Sequence, residues 1–255
     1  MAKRIEDFKV IDNKRINNDF FILELLSKVK LPELKPGQFA QVRVDGSPDT
    51  FLRRPISIHD VDYEKNAIKF LIQITGKGTK TLSKLRKSDI VNIIYPLGNS
   101  FKLPGSGEKV LLVGGGCGIA PLLYLGKYLK TNGNIPDILL GFRNKERIIE
   151  YEEYLGIGKV FITTEDGSEG EKGFVTAHSI LSVYRYDRIY CCGPDSMMKA
   201  VARYSQKRNA ECEVSLENLM ACGIGACLCC IVDTVKGNVC TCIDGPVFNK
   251  NDLKW

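Results

Sequence analysis

Lys109-Val110-Leu111-Leu112-Val113-Gly114-Gly115-Gly116-Cys117-Gly118-Ile119-Ala120-Pro121 is the stretch on which the fold turns. Four consecutive apolar residues before a turn predict a strand covered on both faces, as in a parallel sheet. Four glycines then crowd a turn, and Ala120-Pro121 opens an apolar run with proline where the first turn of a helix tolerates it. Strand, glycine turn and helix start form the context of a dinucleotide loop. The strict G-x-G-x-x-G pattern fails, because its third position falls on Ile119 or Pro121. The acidic residue expected after the second strand is replaced by Arg143-Asn144. Residues 110–126 are the most apolar part of the chain, but five glycines and Pro121 interrupt them, and they are too short to cross a bilayer.

Downstream, Ile138-Leu-Leu-Gly-Phe142, Lys159-Val-Phe-Ile-Thr163 and Arg188-Ile-Tyr-Cys-Cys192 read as further strands separated by segments of helical composition. Such alternation predicts a parallel α/β sheet. Upstream, Phe20 to Leu26, Phe39 to Val44, Pro55 to Ile58 and Ile68 to Ile74 are short strand-like runs between Pro, Gly, Asn and Asp punctuation. They predict a small antiparallel barrel, with a helix starting near Gly76. The expected organisation is an α+β multi-domain chain: a β-barrel over residues 1–103, an α/β domain over 104–210, and a small cysteine-rich segment over 211–255.

The 255 residues are 44% hydrophobic and 26% charged, enough for sizeable cores. The net charge of +6 is spread along the chain, which weighs against nucleic acid as a partner. The N-terminus has no apolar h-region, so no signal peptide is expected. Seven of the ten cysteines fall between Cys212 and Cys242. Local crowding in a chain with its own core argues for a metal centre in a reducing, cytoplasmic setting rather than for disulfide staples. His59 and His178 show no ligand spacing, so zinc-hydrolase chemistry has no support.

Cys222-Gly-Ile-Gly-Ala-Cys227-Leu-Cys-Cys230 gives the spacing C-x4-C-x2-C, with further cysteines at 240 and 242. This is the plant-type pattern for a 2Fe–2S cluster. Gly223 and Gly225 let a tight loop bring thiolates and amides to one place. Cys230 keeps the x2 spacing from Cys227, and Cys229 does not. If 240–242 is a strand, Cys240 and Cys242 share a face, so the residues alone do not choose the fourth ligand. A structural zinc site is the bland alternative, but a second C-x2-C knuckle is missing.

Arg54-Pro55-Ile56-Ser57, Gly76-Lys-Gly78-Thr79-Lys-Thr81 and Pro96-Leu-Gly-Asn-Ser-Phe101 follow one another in the barrel. The glycine turn opening a helix offers N–H groups to a pyrophosphate. The three motifs in this order resemble the FAD domain of the ferredoxin reductase superfamily. The resemblance implies bound FAD, with Arg54 on its pyrophosphate, Ser57 near the flavin N5, and Gly78, Thr79 and Thr81 on the phosphate side. Pro55, Ile56, Leu71 and Gln73 would also line it. Ile56 stands where the superfamily usually has an aromatic.

The superfamily also uses Gly-Gly-x-Gly-x-Ala-Pro where this chain has Gly115, Gly116, Gly118 and Pro121. Gly141-Phe-Arg143-Asn144, the stretch from Thr164 to Thr176, and Cys192-Gly193-Pro194 match its later segments. By resemblance these residues hold a nicotinamide cofactor, with Cys192 beside the ring and, like Ser57, catalytic. Arg143 would suit the 2′-phosphate of NADP, whereas the more specific family resemblance below implies NAD, which is the reading adopted.

Barrel, nucleotide domain and cluster in this order, ending in Cys242-Ile-Asp-Gly-Pro-Val-Phe248, resemble the electron-transfer subunits of NAD-linked dihydroorotate dehydrogenases over nearly the whole chain. That family places its fourth ligand directly before x-Asp-Gly-Pro, which selects Cys242 alongside Cys222, Cys227 and Cys230. A trimmed hairpin is expected between Cys230 and Cys242. The resemblance implies electron flow from the FMN of a dihydroorotate dehydrogenase catalytic subunit through the cluster and FAD to NAD+, in a heterotetramer of two plus two chains. No orotate site is evident in this chain. Two other readings use the same residues: an NAD(P)H oxidoreductase subunit serving ferredoxin or a sulfur or bifurcating complex, and a non-redox zinc-binding adaptor.

Overall fold

The computed structural model describes residues 2–255. The N-terminal half contributes β1 (Arg4–Arg15), β2 (Phe20–Leu26), β3 (Phe39–Val42), β4 (Arg54–Ser57), β5 (Asp60–Asp62), β6 (Ala67–Gln73), helix α1 (Lys77–Leu82) and β7 (Ile90–Leu97). The seven strands form one antiparallel sheet in the order β4-β3-β7-β1-β2-β6-β5. Its two edges, β4 and β5, are separated by only Ile58 and His59, so the sheet must curl until the edges meet. Ile58 N–H donates to the Gln38 carbonyl (3.0 Å) and His59 N–H to that of Lys69 (2.9 Å), closing the barrel. Alternation fills it: Phe21, Leu23 and Leu25 of β2 point inward with Phe8, Val42 and Ile68.

The second half contributes β8 (Val110–Gly115), α2 (Ala120–Thr131), β9 (Asp137–Phe142), α3 (Tyr151–Leu155), β10 (Lys159–Thr164), β11 (Glu171–Lys172), α4 (Ile180–Val183), β12 (Arg188–Cys192), α5 (Asp195–Arg208) and β13 (Glu211–Ser215). These strands pair in parallel in the order β11-β10-β9-β8-β12-β13. The sheet therefore reaches Ser215, five residues past the expected boundary at 210. After β8 the chain builds outward to β9 and β10, then returns to place β12 on the other side of β8. The switch point thus lies between the C-terminal ends of β8 and β12, where open α/β sheets form a ligand crevice.

Helix α2 is buried along most of its length because it lies between two layers. Leu122, Leu125 and Leu129 pack with the sheet, while Tyr124 donates to the Leu34 carbonyl of the barrel (2.8 Å) and Lys127 pairs with Asp60 (2.7 Å). The apolar run at 110–126 is therefore a central strand and a sandwiched helix. No helix among the described residues is long and apolar enough to cross a membrane.

The C-terminal segment forms a loop from Leu216 to Cys230, the hairpin β14 (Ile231–Thr234) and β15 (Gly237–Cys240), helix α6 (Thr241–Asp244) and β16 (Val247–Asn249). The hairpin turns through Val235 and Lys236 alone. β16 returns to the parallel sheet as an antiparallel edge beside β13. Phe39 and Leu97 of the barrel pack against Cys230, Cys240 and Cys242, so this segment is seated on the barrel as well.

Candidate functional site

The crevice at the switch point is a cavity of about 840 Å³. The sheet supplies Gly115, Gly116 and Gly118 after β8, Arg143 after β9, and Gly193 and Pro194 after β12. The barrel supplies Asp19, Phe20 and Gln73. Six residues expected at the nicotinamide cofactor thus meet in one cleft, together with Gln73 from the flavin group. The loops touch closely: a Cβ on Gly118 would lie 2.4 Å from Gly193 N and Cα. Pro121 is buried in the first turn of α2 and forms no part of the lining. Arg147 reaches across from the α/β domain to Asp19 of the barrel (2.8 Å).

Cys192 ends β12 and is almost fully buried. Burial, followed by the charge of Glu217, raises its thiol well above the ordinary range and keeps it neutral. Cys117 is pushed up to about 12 by the same two causes. Glu217 is open to solvent but deep in the cleft, where desolvation raises its carboxyl.

On the barrel, Arg54, Pro55, Ile56 and Ser57 make up β4, all half-buried. The two adjacent arginines part company. Arg53 is tied to β7, donating to the Asn92 carbonyl (3.0 Å) and side chain (2.5 Å). Arg54 instead lies over the start of α1, its Nε 2.9 Å from the point a Cβ on Gly78 would occupy. Arg54 and Gly78 are therefore brought together as a candidate pyrophosphate contact. The Thr79 hydroxyl is committed to this turn, accepting from Thr75 and Gly76 N–H and donating to the Gly76 carbonyl. Thr81 donates back to Lys77 (3.0 Å). These threonines shape the turn that opens α1. Leu71 is sealed in the core between barrel and sheet.

The cysteine loop is wound around its sulfurs. Cys222 Sγ accepts N–H bonds from Ile224 (3.4 Å), Ala226 (3.3 Å) and Cys227 (3.4 Å). Burial opposes ionisation, but these donors and the Cys227 thiol hold Cys222 down to about 6. Cys242 Sγ accepts from Gly225 N–H at 3.2 Å. Cys222 and Cys227 exchange backbone N–H bonds to each other's sulfur, and Cys230 packs with Cys240 and Cys242. No three His, Cys, Asp or Glu side chains among the described residues converge on one point as a single ion requires. Three cysteines on the loop and Cys242 on α6, tied to the loop by the Gly225 N–H, are the kind of ligand set a 2Fe–2S cluster takes.

Cys240 also contacts Cys230. It is not related to Cys242 by strand alternation: Cys240 ends β15, and Cys242 lies in α6. The chain coils there because Asp244 accepts the Cys240 N–H (2.8 Å), pulling 240–244 into one turn. Cys229 is exposed.

Residues 217–254 match the family model of the iron-sulfur cluster binding domain of dihydroorotate dehydrogenase B. The chain is 43% identical to the dihydroorotate dehydrogenase B (NAD(+)) electron transfer subunit of Caldanaerobacter subterraneus subsp. tengcongensis, over 94% of each chain. It is 40% identical to that of Clostridium perfringens, over 100% of each. The chain belongs to this family. Among solved structures, this electron transfer subunit family member resembles a chain of an NADH-dependent reduced ferredoxin-NADP oxidoreductase studied for flavin-based electron bifurcation. There the identity is 31% and the TM-score 0.88, covering 97% of this chain and 90% of that one.

Sequence reasoning about this family member missed Glu217, Asp19 and Arg147 in the cleft, and Gln41 beneath the cysteine loop. Glu217 carries a weak signal, since it lies two residues past the end of β13, where crevice residues emerge. The other three carry none, because loop contacts across domains leave no spacing in the chain.

Proposed function

We propose that this chain is the electron transfer subunit of an NAD-linked dihydroorotate dehydrogenase. It carries FAD and a 2Fe–2S cluster, binds NAD(H), and serves a catalytic partner subunit in pyrimidine biosynthesis. The observation that carries this reading is the set of four cysteines on one loop and the helix tied to it, in a chain related along its whole length to such subunits.

Bound FAD supplies the exchange between two-electron hydride chemistry and single electrons that NAD and a 2Fe–2S cluster do not share. The protein's own residues position the groups. Arg54 brings a permanent cation to the turn at Gly78, where a pyrophosphate is neutralised. Ser57 offers its hydroxyl at the end of β4, towards the flavin. Gly115, Gly116, Gly118 and Gly193 keep side chains out of the cleft so that a dinucleotide can approach the backbone. Arg143 lines the cleft beyond β9. Cys192, held neutral, packs under the nicotinamide end without adding a charge. Cys222, Cys227, Cys230 and Cys242 hold the cluster. Leu219, Ile224, Leu228 and Ile243 stand exposed on the same segment, an apolar surface that suits an FMN-containing partner. The assembly is a heterotetramer of two plus two chains, acting in the cytoplasm, with the barrel over 1–103, the nucleotide domain running from 104 through β13 to 215, and the cluster segment after it.

The test is Cys222→Ser in the purified complex. Dihydroorotate-driven NAD+ reduction is expected to vanish while NADH oxidation by a small dye persists. Equal loss of both activities refutes the reading. Wild-type dye turnover with no dihydroorotate activity moves the chain to another electron partner, such as a bifurcating complex of the kind its structural neighbour represents.

A further inference from the structure

Gln41 is fully buried, yet neither its Oε1 nor its Nε2 has a hydrogen-bond partner. It sits in β3, whose alternation divides two environments. Ala40 and Val42 face the barrel core. Phe39, on the face that Gln41 shares, packs with Leu97, Cys230, Cys240 and Cys242. The Gln41 carboxamide lies directly against the cysteine loop: a Cβ on Gly223 would come 2.5 Å from its Cγ and 2.6 Å from its Nε2. Gly223 has φ +70° and immediately follows Cys222. Across the sheet, Gln41 is paired with Pro55 of β4. The amide therefore lies against the loop that carries Cys222, on a strand whose neighbour in the sheet carries Arg54 and Ser57.

A buried amide with no partner is costly and rare, and each one needs an explanation. Gly223, against which the Gln41 amide lies, directly follows Cys222, and Cys230, Cys240 and Cys242 pack on the same face of β3. The sulfurs of Cys222 and Cys242 already draw N–H donors, all from the backbone of the loop. A side-chain donor beneath the loop completes the same pattern.

We propose that the Gln41 carboxamide donates an N–H to the sulfur shell of the bound 2Fe–2S cluster and raises its reduction potential. The inference rests on the reading that these cysteines hold such a cluster. Reduction adds one electron, and so one negative charge, to the cluster and its sulfurs. A fixed N–H dipole stabilises the more negative state more strongly, as hydrogen bonds to ligand sulfurs do. Gln41 would therefore ease acceptance of an electron by the cluster.

The experiment is an anaerobic redox titration of the full-length, cluster- and FAD-loaded chain, with the cluster followed by EPR and the flavin by absorbance. Gln41→Met keeps the length and removes the donor. At the wild-type midpoint the reduced-to-oxidised ratio of the cluster is expected to fall roughly ten-fold, the scale of one hydrogen bond to a charged group. The flavin midpoint is expected to stay in place. Gln41→Glu preserves the shape, but its buried carboxyl is driven towards the neutral acid, whose O–H still donates. Gln41→Leu, apolar and smaller, is therefore the second variant without a donor if the methionine disturbs folding, and the ratio is expected to fall as far as in Gln41→Met. A cluster midpoint unchanged in the variant that loads overturns the role of Gln41 and leaves the cluster reading intact. A wild-type chain with no EPR signal after reduction overturns the cluster reading itself.

Discussion

The guanidinium of Arg54 rests on Gly78, its Nε 2.9 Å from where a Cβ would stand, while the neighbouring Arg53 is bonded to Asn92 on the opposite side of β4. One arginine braces the barrel and the next is presented to the helix turn.

Gly78→Ala should therefore push Arg54 away from the turn without disturbing the barrel. FAD affinity is expected to fall about ten-fold, the scale of a lost charge-assisted hydrogen bond. Flavin-fluorescence titration of the apoprotein measures it. An unchanged affinity would separate Arg54 from FAD binding. Arg53→Met should act differently, lowering the melting temperature by stranding Asn92.

Gly118→Ala places a methyl 2.4 Å from the Gly193 backbone, which cannot rotate out of the way. The ends of β8 and β12 must separate, and such overpacking costs about 1–3 kcal/mol. The KM for NADH in dye reduction should rise more than kcat falls, because the cleft is deformed while the flavin side is untouched. A variant with wild-type KM would show that the cleft is not the NADH site.

Among the cysteines, Cys242→Ser should abolish the cluster, measured as iron and acid-labile sulfide per chain. Cys240→Ser and Cys229→Ser should retain it. Cys240 also touches Cys230, but Cys242 additionally receives the Gly225 N–H of the ligand loop. The reverse result would make Cys240 the fourth ligand.

His178 Nδ1 accepts the Ile180 N–H at 3.0 Å, which requires the neutral ring. Burial lowers its pKa below 6.5, and Glu171 only partly opposes this. Above pH 6.5 the ring is neutral in both folded and unfolded chains and adds no pH dependence. As pH falls below 6.5 the unfolded chain takes up the proton first, so stability is lost until the folded pKa is reached. The slope from this one group cannot exceed about 1.4 kcal/mol per pH unit. Denaturant melts at pH 7 and 5.5 should show a smaller decrease for His178→Gln than for the wild type; equal decreases would remove His178 as a source.

The local signals proved the readable ones. Val110–Val113 followed by glycines announced a central parallel strand and crevice loop, because a strand buried on both faces must be apolar throughout. The Cys222–Cys230 spacing announced a two-iron loop, because its three thiols and their N–H donors lie within nine residues of chain. Thr79 was harder: its sequence position marks a phosphate turn, but its hydroxyl is spent on Thr75 and Gly76. Leu71 fell within a motif-bearing strand, yet its side chain faces the interface between barrel and sheet.

While FAD and NAD came with the family resemblance, the sequence by itself determined the element types, the order of barrel, parallel α/β domain and cysteine segment, and the 2Fe–2S spacing. These depend on periodicity, glycine placement and short spacings, which are properties of neighbouring residues. Only the tertiary structure decided which arginine faces the turn at Gly78, how 240–244 coils to bring Cys242 to Gly225, that Glu217 enters the cleft at the switch point, and that Gln41 lies buried beneath Gly223. Each of these is a contact between segments distant along the chain or a choice between neighbouring side chains. Barrel closure and sheet packing set such contacts, and no local pattern of residues encodes them.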